Sequence, residues 1–210
     1  MKYDRIIWDF NGTLLDDVRC GIDSANELLS RYGLPLIPGV AEYHSLFGFP
    51  IRDYYQRLGF DFSRLSYEAL AHEWVAIYLE KVQNAPLRGG VLPILEALRT
   101  MGVKQTVLSM TEHTMLLHQL SLLEITDRFD EICGLTDIYA TSKLALAANW
   151  RHRHPSERAL FIGDTVHDAE SAAVIGCDCL LMTGGHESEV SLRSHHAHVI
   201  HEPAEILSHL

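Results

Sequence analysis

IWDFNGTLLD, residues 7–16, is the stretch that decides the fold of this chain. An apolar run leads directly into Asp9, and the Gly12-Thr13 pair that follows predicts a turn beside it. A strand predicted over residues 3–9 would present Asp9 at its carboxyl end. Ligands of open α/β sheets bind at that edge, so we expect the chemistry of this chain to be built around Asp9.

Strand and helix patterns alternate along the second half of the chain. Strands are predicted over 105–108, 131–133, 158–162, 178–182 and 198–200, and helices over 91–101, 115–123, 142–150, 168–175 and 204–209. Strands that alternate with helices form right-handed crossovers and hence a parallel sheet. The sequence therefore predicts an α/β fold, a Rossmann-like parallel sheet core with helices on both faces.

A helix-rich segment interrupts this alternation between the first two strands. Glycine and proline break it into short helices near residues 33–35, 47–50 and 58–59. We expect residues 17–84 to form a small α-helical cap domain. The cap would be inserted into a core domain made of residues 1–16 and 85–210, and it would cover the carboxyl ends of the strands.

Composition limits the classes of partner. The chain has 210 residues, of which 47% are hydrophobic, enough to bury one core plus an insertion. Its formal net charge of -11 argues against binding to nucleic acid or to an anionic membrane. Four scattered cysteines, no apolar run of membrane-spanning length and no signal peptide are typical of a cytoplasmic protein. We expect a monomer or homodimer.

Polar residues follow several of the predicted strands, where their side chains can meet. Asp9 ends the first strand, Ser109 ends the second, and Lys143 begins a helix, while Asp164 and Asp168 lie four residues apart after a buried strand. Three acids and a backbone carbonyl are ligands that Mg²⁺ prefers. A lysine and a hydroxyl suit the oxygens of a phosphate. The set predicts phosphoryl transfer through an aspartyl-phosphate on Asp9.

In this order the motifs resemble the haloacid dehalogenase superfamily, in its phosphoglycolate phosphatase-like and β-phosphoglucomutase-like branch. That family begins with D-x-D-G-T-L and continues with a Ser or Thr, a Lys and G-D-x-x-x-D. This chain carries DFNGTL at 9–14 and GDTVHD at 163–168, and the resemblance covers essentially all of it. It implies a Mg²⁺-dependent phosphatase of a small phosphorylated metabolite, with phosphoglycolate as one candidate.

The resemblance also implies a metal site. Asp9 would be both nucleophile and Mg²⁺ ligand, and Asn11 would bind the ion through its backbone carbonyl. Asp164 and Asp168 would complete the site directly or through water.

Further roles follow for the substrate. Ser109 and the amides of Gly12 and Met110 would hold the phosphate, and Lys143 would neutralise charge beside the nucleophile. Arg52, in the predicted cap, would meet a carboxylate or second phosphate on the substrate.

Asn11 departs from the family pattern, which has a second Asp at this position. In related phosphatases that Asp protonates the leaving oxygen, and an amide cannot do so. Another group, such as His113 or His167, would move the proton in an active variant. Alternatively, the chain is a weak or inactive relative that binds a phosphorylated ligand or a protein partner. Third, deamidation of Asn11-Gly12 would restore Asp in a fraction of molecules.

Overall fold

The chain folds around a six-stranded parallel sheet. A computed structural model describes residues 2–139, 142–196 and 198–210. The strands are β1 (Arg5–Trp8), β2 (Lys104–Glu112), β3 (Glu131–Leu135), β4 (Ala159–Gly163), β5 (Asp178–Met182) and β6 (Val199–Ile200). Their order is β3-β2-β1-β4-β5-β6, and every neighbouring pair is parallel. The strand order reverses around β1, so the carboxyl ends of β1, β2 and β4 lie side by side.

Helices surround this sheet and fill the long connection after β1. They are α1 (Val18–Arg31), α2 (Val40–Leu46), α3 (Ile51–Arg57), α4 (Tyr67–Val82), α5 (Val91–Thr100), α6 (His113–Leu122), α7 (Leu144–Arg153), α8 (Val166–Ile175) and α9 (Glu189–His195). Two 3₁₀ helices cover Thr126–Arg128 and Pro203–His209. The predicted Rossmann-like α/β fold is confirmed.

The central strand shows why a parallel sheet forms here. Ile6 and Trp8 pack into a hydrophobic cluster on one face of the sheet, whereas Ile7 packs into a separate cluster on the other. All three side chains are fully buried. A strand covered on both faces needs apolar side chains on both, and Ile6, Ile7 and Trp8 provide them in β1.

The four helices α1 to α4 have a hydrophobic cluster of their own. It joins residues of α1, such as Leu28 and Leu29, to Tyr54 and Tyr55 of α3 and to Leu70 of α4. We call this segment, residues 17–84, the helical insertion. Its separate cluster supports the proposed division into core and cap.

The structure differs from the predicted elements in β2 and in the last helix. β2 continues to Glu112, so Ser109 lies inside the strand and not at its end. Its pairing with β3 shifts register between Leu108 and Glu112, which breaks the regular ladder beside the site. The last helix, at Pro203–His209, is 3₁₀ and not α-helical, with proline in its first turn.

Candidate active site

Three carboxylates meet at the carboxyl edge of the sheet. Asp9 follows β1, and its amide donates to the carbonyl of Ile162 in β4 at 2.8 Å. Asp164 directly follows β4, and Asp168 lies in the first turn of α8. One oxygen from each of the three carboxylates lies within 4.8 Å of the others, and all three residues are buried. We call these residues the acidic cluster.

Lys143 compensates part of this negative charge. Lys143 is the N-cap residue of α7. Its Nζ lies 2.6 Å from Oδ1 of Asp9 and also contacts Asp168. Burial lowers the pKa of the Lys143 ammonium, but the Asp168 and Asp9 carboxylates outweigh burial and raise the pKa above its ordinary value. Lys143 therefore stays charged throughout the physiological range.

The remaining acids are held in place by their neighbours. Oδ2 of Asp168 accepts from the amides of Asp164 and Thr165, at 3.0 and 2.9 Å, and caps α8. The two oxygens of Asp164 accept from Oγ1 of Thr13 at 2.6 Å and from the amide of His186 at 2.7 Å. These contacts fix the carboxylates at close range despite their mutual repulsion.

The charge balance of the acidic cluster fits a divalent cation. Three buried carboxylates face one ammonium, and burial together with the Asp168 charge raises the pKa of Asp9 well above its ordinary value. Burial also raises the pKa of Asp164. Such carboxylates are stable as anions only beside further positive charge, and oxygen ligands suit Mg²⁺. The residues present therefore fit the metal that the sequence predicts.

Asn11 is held by three hydrogen bonds from different parts of the chain. Its Nδ2 donates to Oδ2 of Asp17 at 2.9 Å and to the hydroxyl of Tyr78 at 2.8 Å. Its Oδ1 accepts from Oγ1 of Thr111 at 2.7 Å. Donor and acceptor atoms of the amide are each matched to a partner, so this pocket is built for Asn at position 11.

Asp17 and His186 form a buried pair that sequence reasoning missed. Nε2 of His186 lies 3.2 Å from Oδ1 of Asp17, and Nδ1 lies 2.7 Å from the hydroxyl of Tyr43. Burial lowers the pKa of His186, but the Asp17 carboxylate outweighs it and raises the pKa to about 9. Burial raises the pKa of Asp17, and His186 more than reverses this, so the pKa lies below its usual range. A signal was present, because His186 closely follows the carboxyl end of β5.

A cavity of about 170 Å³ lies between the acidic cluster and the helical insertion. Asp9, Asn11, Ser109, Met110 and Lys143 all line it. Ser109 is buried, and its Oγ accepts from the amide of Thr111 at 3.0 Å. The structure thus brings together most of the residues that the sequence predicts for the site.

Two predicted substrate contacts need correction. The amide of Gly12 donates to Oδ1 of Asp17 at 2.8 Å, so it is already engaged and not free for phosphate. Gly12 also lies outside the cavity lining, and a Cβ there would overlap the Asp164 carboxylate. Arg52 is exposed on α3 and lies over the ring of Phe62 at 5.3 Å, outside the same lining.

Neither histidine considered as a proton carrier lines the cavity. His113 is exposed at the start of α6. His167 is buried, but its Nε2 accepts from the amide of Lys143 at 3.3 Å and its Nδ1 contacts Glu170. His167 therefore helps to position the loop that carries Lys143.

Among the described residues, the acidic cluster is the one group with the spacing of a metal site. Within the same residues, no helix is both long and apolar enough to cross a membrane.

The parallel sheet, with three acids and a lysine at its carboxyl edge, defines a Rossmann-like hydrolase. The chain belongs to the haloacid dehalogenase-like hydrolase family, whose model matches residues 6–182. Its resemblance to the phosphoglycolate phosphatase-like branch is confirmed by its relatives.

Relatives carry different names. Tyrosine-protein kinase PtkA of Mycobacterium tuberculosis is 28% identical over 189 residues, which cover 86% of this chain but only 62% of PtkA. A phosphoglycolate phosphatase of Caulobacter vibrioides is 26% identical over 200 residues, covering 88% of this chain and 81% of that protein. The solved structure of M. tuberculosis PtkA has a TM-score of 0.82 at 24% identity and covers 99% of this chain and 98% of that one. This likeness extends the fold over the whole chain.

Proposed function

We propose that this protein is a Mg²⁺-dependent phosphatase that forms an aspartyl-phosphate on Asp9. The observation that carries the proposal is the acidic cluster, with Lys143 Nζ 2.6 Å from Oδ1 of Asp9 at the base of the cavity. Relatives named phosphoglycolate phosphatase and pyrophosphatase support a phosphoryl substrate.

We assign the following roles to the residues of the site. Lys143 holds one oxygen of Asp9, and the other oxygen attacks phosphorus while the bond to the leaving oxygen breaks. Water then attacks the aspartyl-phosphate, which releases inorganic phosphate and restores Asp9. Ser109 and the Lys143 ammonium bind phosphate oxygens. Asp9, Asp164, Asp168 and the Asn11 carbonyl would hold Mg²⁺, which when bound supplies positive charge to the phosphoryl oxygens.

We expect Mg²⁺ to stabilise the protein and to be required for release of phosphate from p-nitrophenyl phosphate. At 100 times the dissociation constant, binding adds about 2.7 kcal/mol, which raises Tm by roughly 5–10 °C. Because the pKa values of Asp9 and Asp164 are raised, the folded protein holds protons that Mg²⁺ must displace. The Tm shift should therefore grow from pH 5 to pH 8.

Asp164→Asn should lose the Mg²⁺-dependent Tm shift and the activity together. The matched control is Asp127→Asn, since Asp127 is an exposed acid outside the site. A Mg²⁺ shift of equal size in Asp164→Asn and Asp127→Asn would place the metal elsewhere.

Asn11→Asp tests what position 11 contributes. In the single variant a second carboxylate would face Asp17, at the position where Nδ2 now lies 2.9 Å from Oδ2. We expect a loss of about 2–4 kcal/mol of unfolding free energy, because the buried Asp17 carboxylate and a half-buried carboxylate at position 11 cannot both ionise at this distance. Turnover of alkyl phosphates should not recover, since the two acids share a proton.

The double variant Asn11→Asp/Asp17→Asn reverses the direction of the hydrogen bond between the two side chains. The new amide at position 17 would donate to the new carboxylate at position 11. Chemical denaturation should therefore show the double variant at least about 1.5 kcal/mol more stable than the sum of the single losses. A carboxyl group at position 11 should then raise the alkyl phosphate rate by about 10²–10⁴-fold relative to aryl phosphate. An unchanged alkyl rate in a stable double variant would mean that position 11 does not limit catalysis.

A further inference from the structure

The lining of the cavity is rich in aromatic side chains. Among the described residues that line it, nine are Phe, Tyr or Trp. Trp74 stacks on Tyr78 with ring centroids 4.7 Å apart, and Phe47 packs against Tyr54 at 5.3 Å. A cavity of about 150 Å³ with apolar walls binds benzene, so a cavity of about 170 Å³ has the size range of a single aromatic ring rather than of a larger group. These walls favour a flat, apolar group on the substrate.

The same lining offers no unpaired positive charge for a second anion. Within the described residues, the basic side chains that line the cavity are those of Lys143 and His186. Lys143 is paired with Asp9 and Asp168, and His186 is paired with Asp17. Glu112 adds a further negative charge to the lining. A carboxylate on the substrate would lose its hydration here without gaining a partner.

Asn11 also favours a substrate with an aryl leaving group, for a chemical reason that is independent of the cavity walls. Its amide is fixed by hydrogen bonds to Asp17, Tyr78 and Thr111 and has no proton to give to a leaving oxygen. A phenol has a pKa of about 10 and leaves without that proton far more readily than an alcohol, which is about as weak an acid as water.

We infer that the substrate is an aryl phosphomonoester of a single ring, with the ring in the aromatic cavity. The inference rests on the proposed function, because the phosphoryl group is assigned to Asp9. In the reaction an oxygen of Asp9 bonds to phosphorus, and the bond to the aryl oxygen breaks. The aryloxide leaves with the electron pair and takes a proton from water. A second water hydrolyses the aspartyl-phosphate to phosphate and the Asp9 carboxylate.

Recognition is tested without turnover, with phosphonates that the enzyme cannot hydrolyse. Calorimetry with the Mg²⁺-loaded protein compares benzylphosphonate, cyclohexylmethylphosphonate and phosphonoacetate. We expect benzylphosphonate to bind at least about tenfold more tightly than phosphonoacetate and more tightly than the cyclohexyl compound, because ring burial and stacking outweigh a second charge. Equal or tighter binding of phosphonoacetate overturns the aryl assignment.

Turnover separates the two proposals and the two sources of an aryl phosphate. Hydrolysis of phenyl phosphate at least about tenfold faster than of cyclohexyl phosphate is expected. Tight aryl phosphonate binding without any turnover would contradict the proposed phosphatase activity but still support an aryl-binding pocket. Faster hydrolysis of the alkyl phosphate would contradict the inference of an aryl substrate but still support the proposed phosphatase activity. Free O-phospho-L-tyrosine and a phosphotyrosyl peptide then show whether the ring comes from a small molecule or a protein.

Discussion

Asp9→Asn is expected to reduce phosphatase activity at least about a thousandfold, because removal of a nucleophile leaves only binding and electrostatic contributions. The amide has no charge to attack phosphorus, and it also removes one of the three carboxylates of the acidic cluster. Folding should be retained, since Asp9 lies among like charges that raise its pKa. Release of phosphate from p-nitrophenyl phosphate with Mg²⁺ measures the loss, and Tm verifies the fold.

Asp23→Asn is the matched control for Asp9→Asn. Asp23 lies on α1 and pairs with Arg19 at 3.0 Å on the surface, so the Asp23→Asn substitution should change activity less than twofold. A correctly folded Asp9→Asn protein with more than a tenth of wild-type activity would exclude the aspartyl-phosphate mechanism.

Lys143→Met is expected to cost about 3–5 kcal/mol of unfolding free energy, the usual loss when one partner of a buried ion pair is removed. Lys143 is 3% exposed and contacts Asp9 and Asp168, so the variant leaves three buried carboxylates without a cation. For a chain of this length Tm should fall by about 8–15 °C. Activity should fall at least about a hundredfold, because in the proposed mechanism the ammonium also binds a phosphoryl oxygen.

The pH dependence of the stability of Lys143→Met follows from the raised pKa values of Asp9 and Asp164. An acid with a raised pKa holds its proton longer in the folded than in the unfolded protein, so stability falls as pH rises above about 4. Without Lys143 this fall should be steeper. Lys104→Met is the control, since the exposed Lys104 pairs with Glu157 at 3.3 Å and its loss costs about 0–1 kcal/mol. If the two lysine variants melt within about 1 °C of each other, Lys143 does not hold the cluster together.

Most of the fold could be predicted because it depends on local patterns. The apolar run of β1 and the alternation from residue 91 onward indicate a parallel sheet from short stretches of sequence alone. The register of strand pairing was harder to predict from the sequence, as β2 shows. It continues past Ser109 because pairing with β3 resumes at Glu112 after an irregularity that the sequence of β2 does not reveal.

The candidate site could be predicted in part for the same reason. Asp9, Ser109, Asp164 and Asp168 were found because they lie at or near strand ends, and Lys143 because it begins a helix. Gly12 was assigned to phosphate because the sequence cannot show that its amide is already bound by Asp17. Arg52 was assigned to the substrate because the sequence cannot show on which side of α3 its side chain lies.

The sequence by itself determined the family, the parallel sheet and the acids of the site, since each is encoded by local periodicity or by motif order. Only the tertiary structure decided the surroundings of Asn11 and the character of the cavity. The contact of Asp17 with His186 joins residues 169 positions apart, and the aromatic wall is assembled from several helices. Such contacts depend on how the elements pack against one another, which no single stretch of the chain specifies.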